Sequence, residues 1–158
     1  TQPKLKKNSI AIVTNGGGCG VLAADYCEIS GLNLAEVSDP VFKKIDSKMH
    51  PAYSRRNPLD LVGDALPARY EAAINALLSD HSVQGMVVIE TLQTMTKPVE
   101  NAKVIVAARK RFPNKPIVCA FMGGKFTREG KMYLEAHGIP VFSDLERAIR
   151  NLKVLSDF

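Results

Sequence analysis

The sequence contains no tryptophan, and aromatic residues make up only 6% of its 158 residues. This scarcity argues against a nucleic-acid-binding surface, because such surfaces combine a basic stripe with aromatic side chains that stack on bases. The net charge of +5 is instead mixed with acidic residues along most of the chain. We interpret the charge as a contribution to solubility with a mild preference for anions, and expect no nucleic-acid partner.

Cysteine and histidine are also scarce, with three of each. The cysteines are odd in number and include no CxxC pair, which argues against a disulfide framework and against a zinc site. No apolar run approaches the ~20 residues of a membrane-spanning helix, and no secretory signal pattern is visible. These absences predict a cytoplasmic protein with no metal site and no membrane partner.

The length and composition fit one domain of ordinary size. A hydrophobic fraction of 46% and a charged fraction of 23% are typical of soluble globular proteins. A chain of 158 residues has no room for a cofactor domain and a separate substrate domain. We therefore expect residues 1–158 to form a single domain. Because the sequence begins with Thr1 rather than Met, we also expect it to be a fragment of a larger enzyme.

Short apolar runs alternate with helical patterns along the chain. The first run, SIAIVT, is rich in β-branched residues, as expected of a strand covered on both faces. A repeated strand–helix order predicts an α/β fold, with a parallel sheet between two layers of helices. Ser143 and Glu146 predict a capping box before the last helix. Five strands are predicted, at residues 9–14, 32–37, 85–89, 116–121 and 139–142.

The strongest local signal is the sequence TNGGGCG at residues 14–20, between the first strand and a helix predicted at residues 21–30. Glycines there allow backbone N–H groups to face a ligand, and the helix start adds partial positive charge. The sequence therefore predicts an anion site, for example for phosphate. The alternative is a tight turn without a ligand. A helix start would lower the pKa of Cys19, but without a nearby histidine we interpret Cys19 as a small turn residue.

The same stretch contains a form of the dinucleotide-binding fingerprint, Gly18-x-Gly20-x-x-Ala23. Glu36, after the second predicted strand, could bind a ribose. A stand-alone Rossmann-like module that binds NAD is therefore the alternative function. The extra glycines before Gly18 place the turn earlier than the fingerprint requires.

Three further segments should meet the glycine-rich loop at one edge of the sheet, beyond the carboxyl ends of the strands. They are residues 57–63, 90–96 and 122–127. Beside the first of them, Arg55 and Arg56 could bind a phosphate or a carboxylate. Glu90 has no partner carboxylate in the sequence, so we expect no catalytic role for it. The sequence predicts no catalytic side chain.

Five motifs, in this order, resemble those of one domain of the ADP-forming acyl-CoA synthetases. They are AIVTNGGGCGVLAAD, NPLDLVGDA, LQTMTKP, FMGGK and GIPVFSDLERAI, and they cover nearly the whole chain. This family includes the ADP-forming acetate–CoA ligases and relatives of succinyl-CoA synthetase. The resemblance implies a flavodoxin-like, Rossmann-like ligase-CoA domain. Cys19 departs from the family, in which proline is usual at this point of the loop.

The resemblance also implies an activity. The family interconverts acyl-CoA, ADP and phosphate with a free acid, CoA and ATP, and a phosphohistidine on another domain carries the phosphoryl group. A helix of this domain would point its amino end at that phosphohistidine, through Asn15, Gly16, Gly17, Gly18 and Gly20. The family's N-P-x-D loop and G-G turn, at the same edge, match Asn57, Pro58, Asp60, Gly123 and Gly124. We expect Gly17→Asp to leave folding intact and to reduce phosphoenzyme formation.

Several parts of a complete ligase are missing from this sequence. It has no second glycine-rich strand–helix unit for CoA, no length for an ATP-grasp domain and no histidine in a matching motif. The resemblance therefore implies that this domain alone binds no cofactor and is inactive. The complete enzyme would use CoA, ATP or ADP, and Mg. Its CoA-binding, phosphohistidine-carrying and ATP-grasp domains would be the partners of this domain, in an oligomer.

Overall fold

The computed structural model describes residues 2–157, so Thr1 and Phe158 lie outside the described residues. Within this range no helix is long and apolar enough to cross a membrane. The strands are β1 (Ser9–Thr14), β2 (Asn33–Leu34), β3 (Leu59–Asp60), β4 (Gly85–Glu90), β5 (Ile117–Phe121) and β6 (Val141–Phe142). The helices are α1 (Gly17–Ser30), α2 (Asp39–Ile45), α3 (Pro67–Leu78), α4 (Pro98–Arg111), α5 (Arg128–Ala136) and α6 (Leu145–Val154). Short 3₁₀ turns span Asp46–Lys48 and Gly124–Thr127.

The strands form one parallel sheet in the order β2-β1-β4-β5-β6. When the short β3 is left out of the numbering, this order is the 2-1-3-4-5 order of flavodoxin-like sheets. The predicted α/β class and topology are therefore confirmed. β3 is an additional strand that the sequence did not predict, and it pairs with β1 at Val13 and Thr14. It follows Pro58 and has only two residues, so no alternation of apolar and polar residues marks it.

Two hydrophobic cores lie on opposite faces of the sheet. Met86 and Val88 of β4 belong to the core under α2, α3, α4 and α5. Val87 and Ile89 belong to the core under α1 and α6. Because helices cover both faces, every residue of β4 is buried. Up to its last residue, Glu90, the strand has the continuous apolar sequence expected of a central parallel strand.

The first helix begins earlier than the sequence predicted. α1 starts at Gly17 rather than Val21, and Gly20 N–H donates to the Gly16 carbonyl at 3.2 Å. Glycine has a poor intrinsic helix propensity, but packing of this turn against β1 overrides that preference. The helix ends before Gly31, which has a left-handed φ of 82°.

The predicted capping box before the last helix is wrong. The N-cap of α6 is Asp144, whose Oδ1 accepts a hydrogen bond from Arg147 N–H at 2.9 Å. The Ser143 hydroxyl instead accepts a hydrogen bond from Lys131 Nζ on α5 at 2.6 Å. An aspartate next to the predicted cap therefore takes the capping position, and aspartate is also a favoured N-cap residue.

Candidate functional site

The N-terminus of α1 lies at the carboxyl edge of the sheet, directly after β1. Its N-cap is Gly16, with extended backbone at φ −141° and no side-chain cap. The N–H groups of Gly17, Gly18 and Cys19 come before the first intrahelical hydrogen bond and therefore have no intrahelical partner. Gly17 and Gly18 are exposed and Cys19 is half-buried. A helix of 14 residues with such a free N-terminus is suited to bind an anion.

A buried threonine fixes the turn that leads into this helix. The Thr14 hydroxyl accepts a hydrogen bond from Gly16 N–H at 3.0 Å and donates one to the Gly16 carbonyl at 3.1 Å. A Cβ added to Gly16 would lie 3.0 Å from Thr91 Cγ2. A Cβ added to Gly20 would lie 3.1 Å from Thr14 Cγ2 and 3.4 Å from Pro58 Cβ. Close packing therefore explains glycine at these two positions without any ligand.

Gly18 differs from the other glycines of the loop. A Cβ placed there would meet no heavy atom within 4 Å. Packing within this chain therefore does not require glycine at residue 18, and an added side chain would enter open space.

Asp60 lies beside the same end of α1. Its Oδ2 is 2.9 Å from the position that a Cβ on Gly17 would occupy, and its Oδ1 accepts a hydrogen bond from Val62 N–H at 2.9 Å. A carboxylate near a helix N-terminus is favourable, so Asp60 balances part of the helix dipole on this side. The open side of the N-terminus is therefore the side of Gly18.

Asn15 braces the glycine-rich loop from within. Its Oδ1 accepts hydrogen bonds from Thr91 N–H at 2.7 Å and from the Thr91 hydroxyl at 2.8 Å. Its Nδ2 donates to the Thr91 carbonyl at 3.0 Å and to Thr96 Oγ1 at 3.5 Å. Asn15 is only 2% exposed. These contacts use both donors and both acceptor sites of the amide, so its side chain holds the loop after β4 in place.

Sequence reasoning placed residues 90–96 at this edge but did not single out Thr91 or Thr96. Thr96 lies just before α4, which begins at Pro98 after the N-cap Lys97. The Thr96 hydroxyl accepts a hydrogen bond from Gln93 N–H at 2.9 Å and donates one to the Thr91 carbonyl at 3.0 Å. The only available signal was the run of threonines directly after a buried strand, which by itself is also typical of any polar loop.

The segments that follow β1, β3, β4 and β5 meet at the carboxyl edge, as the parallel sheet predicts. A Cβ on Gly63 would lie 3.3 Å from Gln93 Oε1, and a Cβ on Gly123 would lie 3.2 Å from Leu92 Cβ. Gly123 and Gly124 have φ values of 148° and 56°, which favour glycine. The pair therefore forms a tight turn against the loop after β4.

Asn57 does not point to the glycine-rich loop, although the family motif places it near that edge. Its Oδ1 accepts a hydrogen bond from Ile12 N–H at 3.0 Å. Its Nδ2 donates to the carbonyls of Ile10 at 2.9 Å and Ala35 at 3.0 Å. The amide thus fills the gap along β1 between β2 and β3. Pro58 packs beneath α1, beside Gly20.

Arg55 is already paired within the chain. Its Nη1 lies 2.7 Å from Asp39 Oδ1, and its Nε lies 3.0 Å from Asp46 Oδ1. It therefore binds carboxylates of its own chain, whereas Arg56 is exposed.

The residues of the dinucleotide fingerprint do not form the site that it predicts. Gly18 and Gly20 lie inside α1 and do not form the turn that the fingerprint requires. Glu36 is an exposed residue beyond β2.

The predicted lowering of the Cys19 pKa is wrong. Burial raises the pKa of the Cys19 thiol, because a partly buried thiolate loses hydration. Burial also raises the pKa of Cys27 to about 12, and that of Cys119 well above its usual value. Both of these cysteines are fully buried. Among residues 2–157, no three His, Cys, Asp or Glu side chains group closely enough to hold a metal ion.

Comparison with known proteins gives related sequences and structures over nearly the whole chain. The chain is 36% identical over 146 residues to acetate–CoA ligase [ADP-forming] II subunit alpha of Pyrococcus furiosus, covering 90% of this chain and 32% of that one. It is 40% identical over 158 residues to acetate–CoA ligase [ADP-forming] of Methanocaldococcus jannaschii, covering 98% and 22%. The chain thus spans a third or less of the length of these curated relatives.

Solved structures show the same fold. A crystal structure of a Pyrococcus horikoshii protein superposes with a TM-score of 0.91 at 30% identity, covering 98% of this chain and 36% of that one. The dinucleotide-forming acetyl-coenzyme A synthetase 1 of Ca. Korarchaeum cryptofilum, in complex with phosphate and ADP, gives a TM-score of 0.89 at 28% identity, covering 98% and 33%. The family model of the Ligase-CoA domain matches residues 10–153, so the chain belongs to the Ligase-CoA domain family.

Proposed function

We propose that this chain is the ligase-CoA domain of a larger ADP-forming acyl-CoA synthetase, in which α1 stabilises a phosphoryl group. The group is carried by a histidine on another domain. The observation that carries this proposal is the free N-terminus of α1, with Gly16 as an N-cap that has no side chain and Gly18 facing open space. The relatives named as ADP-forming acetate–CoA ligases support the reaction class. Because this chain covers only 32% and 22% of those relatives, the other domains would lie outside residues 1–158.

The contribution of this domain would be electrostatic. The N–H groups of Gly17, Gly18 and Cys19 would donate to the phosphoryl oxygens, and the helix dipole adds about half a positive charge at this end. Thr14 and Asn15 hold these donors in place before any anion arrives, so little reorganisation is needed when charge develops. This role needs no proton transfer from a side chain of this domain.

Exposed apolar side chains support docking of another domain at this edge. Val21 on α1 is 63% exposed, and Phe126 after β5 is 57% exposed. Leu92 and Met95, in the loop after β4, are 51% and 43% exposed. Large apolar side chains exposed around one edge are typical of protein–protein contacts. We assign this surface to the domain that carries the histidine, while CoA, ATP or ADP, and Mg would be bound by the remaining domains of a cytoplasmic, oligomeric enzyme.

The test is a charge introduced at Gly18 in the complete enzyme. Gly18→Asp places a carboxylate in front of the free N–H groups, and we expect phosphoenzyme formation from radiolabelled ATP to fall at least tenfold. Gly18→Asn has nearly the same shape without the charge and is the matched control. Equal phosphoenzyme formation in the two variants would refute the electrostatic role of α1.

Gly17 is a poorer position for this experiment than the sequence suggested. A side chain there would start 2.9 Å from Asp60 Oδ2, so Gly17→Asp would bring two carboxylates together and disturb the N-P-x-D loop. The expectation that this variant leaves folding intact is therefore not supported by the packing. Gly18 has the required space and separates the effect of charge from that of folding.

A further inference from the structure

The carboxyl end of β4 holds a buried acid that no cation approaches in the part of the chain that the structure describes. Glu90 is 0% exposed, and its Oε2 accepts a hydrogen bond from Asn101 Nδ2 of α4 at 2.7 Å. Glu90 Oε1 has no hydrogen-bond partner among residues 2–157, and neither has Asn101 Oδ1. Two unpartnered oxygens thus belong to two side chains that are already joined, and unpartnered buried polar atoms are strongly unfavourable.

One proton would satisfy both oxygens. A carboxylate has only acceptors, and the amide oxygen is also an acceptor, so the ionised pair can form only the bond that is already present. A protonated Glu90 has a hydroxyl at Oε1 that can donate to Asn101 Oδ1. Asn101 Nδ2 meanwhile continues to donate to Oε2. The result is a cyclic acid–amide pair with two hydrogen bonds.

The neighbouring titratable groups offer no positive charge to an ionised Glu90. Tyr70 on α3 uses its hydroxyl to donate to the Ile89 carbonyl at 3.1 Å, and Cys119 lies on β5. Burial raises the pKa of both groups, so both are neutral. The carboxylate of Asp60 on β3 also raises the pKa of Tyr70, and it brings no positive charge to this region. Burial raises the pKa of Glu90 to about 7, although the hydrogen bond from Asn101 lowers it in part.

The pair lies where the loops of the candidate site are attached. The Glu90 carbonyl accepts a hydrogen bond from Met122 N–H at 2.9 Å, at the start of the Gly123–Gly124 turn. The next residue, Thr91, donates its N–H to Asn15 at 2.7 Å. Asn101 lies in the first turn of α4, the helix that the loop after β4 enters. The pair therefore connects both ends of this loop.

We propose that Glu90 and Asn101 form a neutral acid–amide pair, and that this pair positions the loop after β4 and, through Asn15, the N-terminus of α1. Glu90 is then a positioning residue whose ionisation loosens this edge of the sheet. The existence of the pair is independent of the proposed function. Only its importance for phosphoryl binding rests on that function.

The pH dependence has a defined sign. The pKa of Glu90 is raised from about 4.5 to about 7 in the native state, so the native state binds this proton more tightly than the unfolded state. The stabilisation is complete below about pH 4.5 and is lost as the pH rises to about 7. Over this interval the unfolding equilibrium constant should rise by up to about tenfold per pH unit from this group alone.

Glu90→Gln is the matched variant, because a glutamine amide can form both hydrogen bonds with Asn101 at any pH. The measured quantity is the urea midpoint of the 158-residue wild-type chain minus that of this variant. We expect this difference to fall between about pH 5 and pH 7 and to stay constant above about pH 7. A difference between the two chains that does not change with pH would overturn the proposal.

Two spectroscopic measurements complete the test. Infrared spectra of the wild-type chain with ¹³C-labelled glutamate should show the carbonyl stretch of a protonated carboxylic acid at about pH 6, and this band should be absent from Glu90→Gln. Absence of the band from the wild-type chain would refute protonation, even if the variant fails to fold. Hydrogen exchange of Thr91 N–H at about pH 8 should be faster in the wild-type chain than in Glu90→Gln, and equal rates would refute the positioning role.

Discussion

The amide of Asn57 replaces a missing stretch of strand, and its removal should destabilise the fold. Along the free side of β1, β2 pairs with Ser9 and Ile10 and β3 pairs with Val13 and Thr14. The gap between them is closed by the Asn57 side chain, which satisfies Ile12 N–H and the carbonyls of Ile10 and Ala35. The perturbation that tests this role is Asn57→Ala.

The magnitude follows from the groups that this change leaves without a partner. Ile12 N–H and the Ala35 carbonyl lose the hydrogen bond that Asn57 supplied, whereas the Ile10 carbonyl keeps one from Ala35 N–H at 2.8 Å. An unsatisfied buried group costs about 1–3 kcal/mol, so two of them give a loss of about 3 kcal/mol. With a urea m-value of about 2 kcal/mol/M, the unfolding midpoint should fall by about 1.5 M.

Urea unfolding of the 158-residue chain, followed by circular dichroism, measures this loss. Asn33→Ala, at an exposed position of β2, is the control and should change the free energy of unfolding by less than about 0.5 kcal/mol. Asn57→Asp keeps the acceptor for Ile12 but turns a negative oxygen toward two carbonyls, so it should destabilise at least as much as Asn57→Ala. A loss below about 0.5 kcal/mol for Asn57→Ala would refute the reasoning.

Two further predictions concern the packing of α5 against α4 and the hydrogen bonds that Asp80 accepts. Gly130→Ala should destabilise the fold by about 1–3 kcal/mol, because its Cβ would lie 2.8 Å from the Pro98 carbonyl oxygen. In the same urea titration, Glu129→Ala on the exposed side of α5 is the control and should be close to neutral. Burial raises the pKa of Asp80, but hydrogen bonds from two serines outweigh this effect and lower the pKa from 3.8 to about 2. Asp80 should therefore stabilise the fold above about pH 4 and lose this effect as the pH falls toward about 2. Asp80→Asn should therefore lower the thermal midpoint at about pH 5 more than at about pH 2, and an equal loss at both would contradict this.

The order of strands and helices was predictable because each element has its own local pattern. The buried strands β1, β4 and β5 have continuous apolar sequences, and α3 has an apolar face spaced at helical intervals. The short β3 and the early start of α1 were missed. β3 directly follows Pro58 and α1 begins in a glycine-rich loop, so contacts with β1, rather than local preference, give them a regular conformation.

The contacts inside the candidate site were less predictable than its position. The glycine-rich loop lies at the carboxyl edge because it follows a parallel strand. By contrast, the hydrogen bonds of Asn15 to Thr91 join residues 76 positions apart, and those of Asn57 to Ile12 join residues 45 positions apart. No spacing in the sequence encodes such pairs, since they depend on which strands become neighbours.

The sequence alone determined the fold class, the place of the candidate anion site and the resemblance to a ligase family. These depend on local composition and on the order of motifs along the chain. Only the tertiary structure decided the role of each glycine, because the atoms around it come from distant segments. Gly16 and Gly20 are closely packed against neighbouring side chains, Gly17 lies against Asp60, and Gly18 alone among these four has open space beside it. Tertiary contacts likewise brought Asn101 to Glu90, where burial removes the water that would otherwise stabilise the charge.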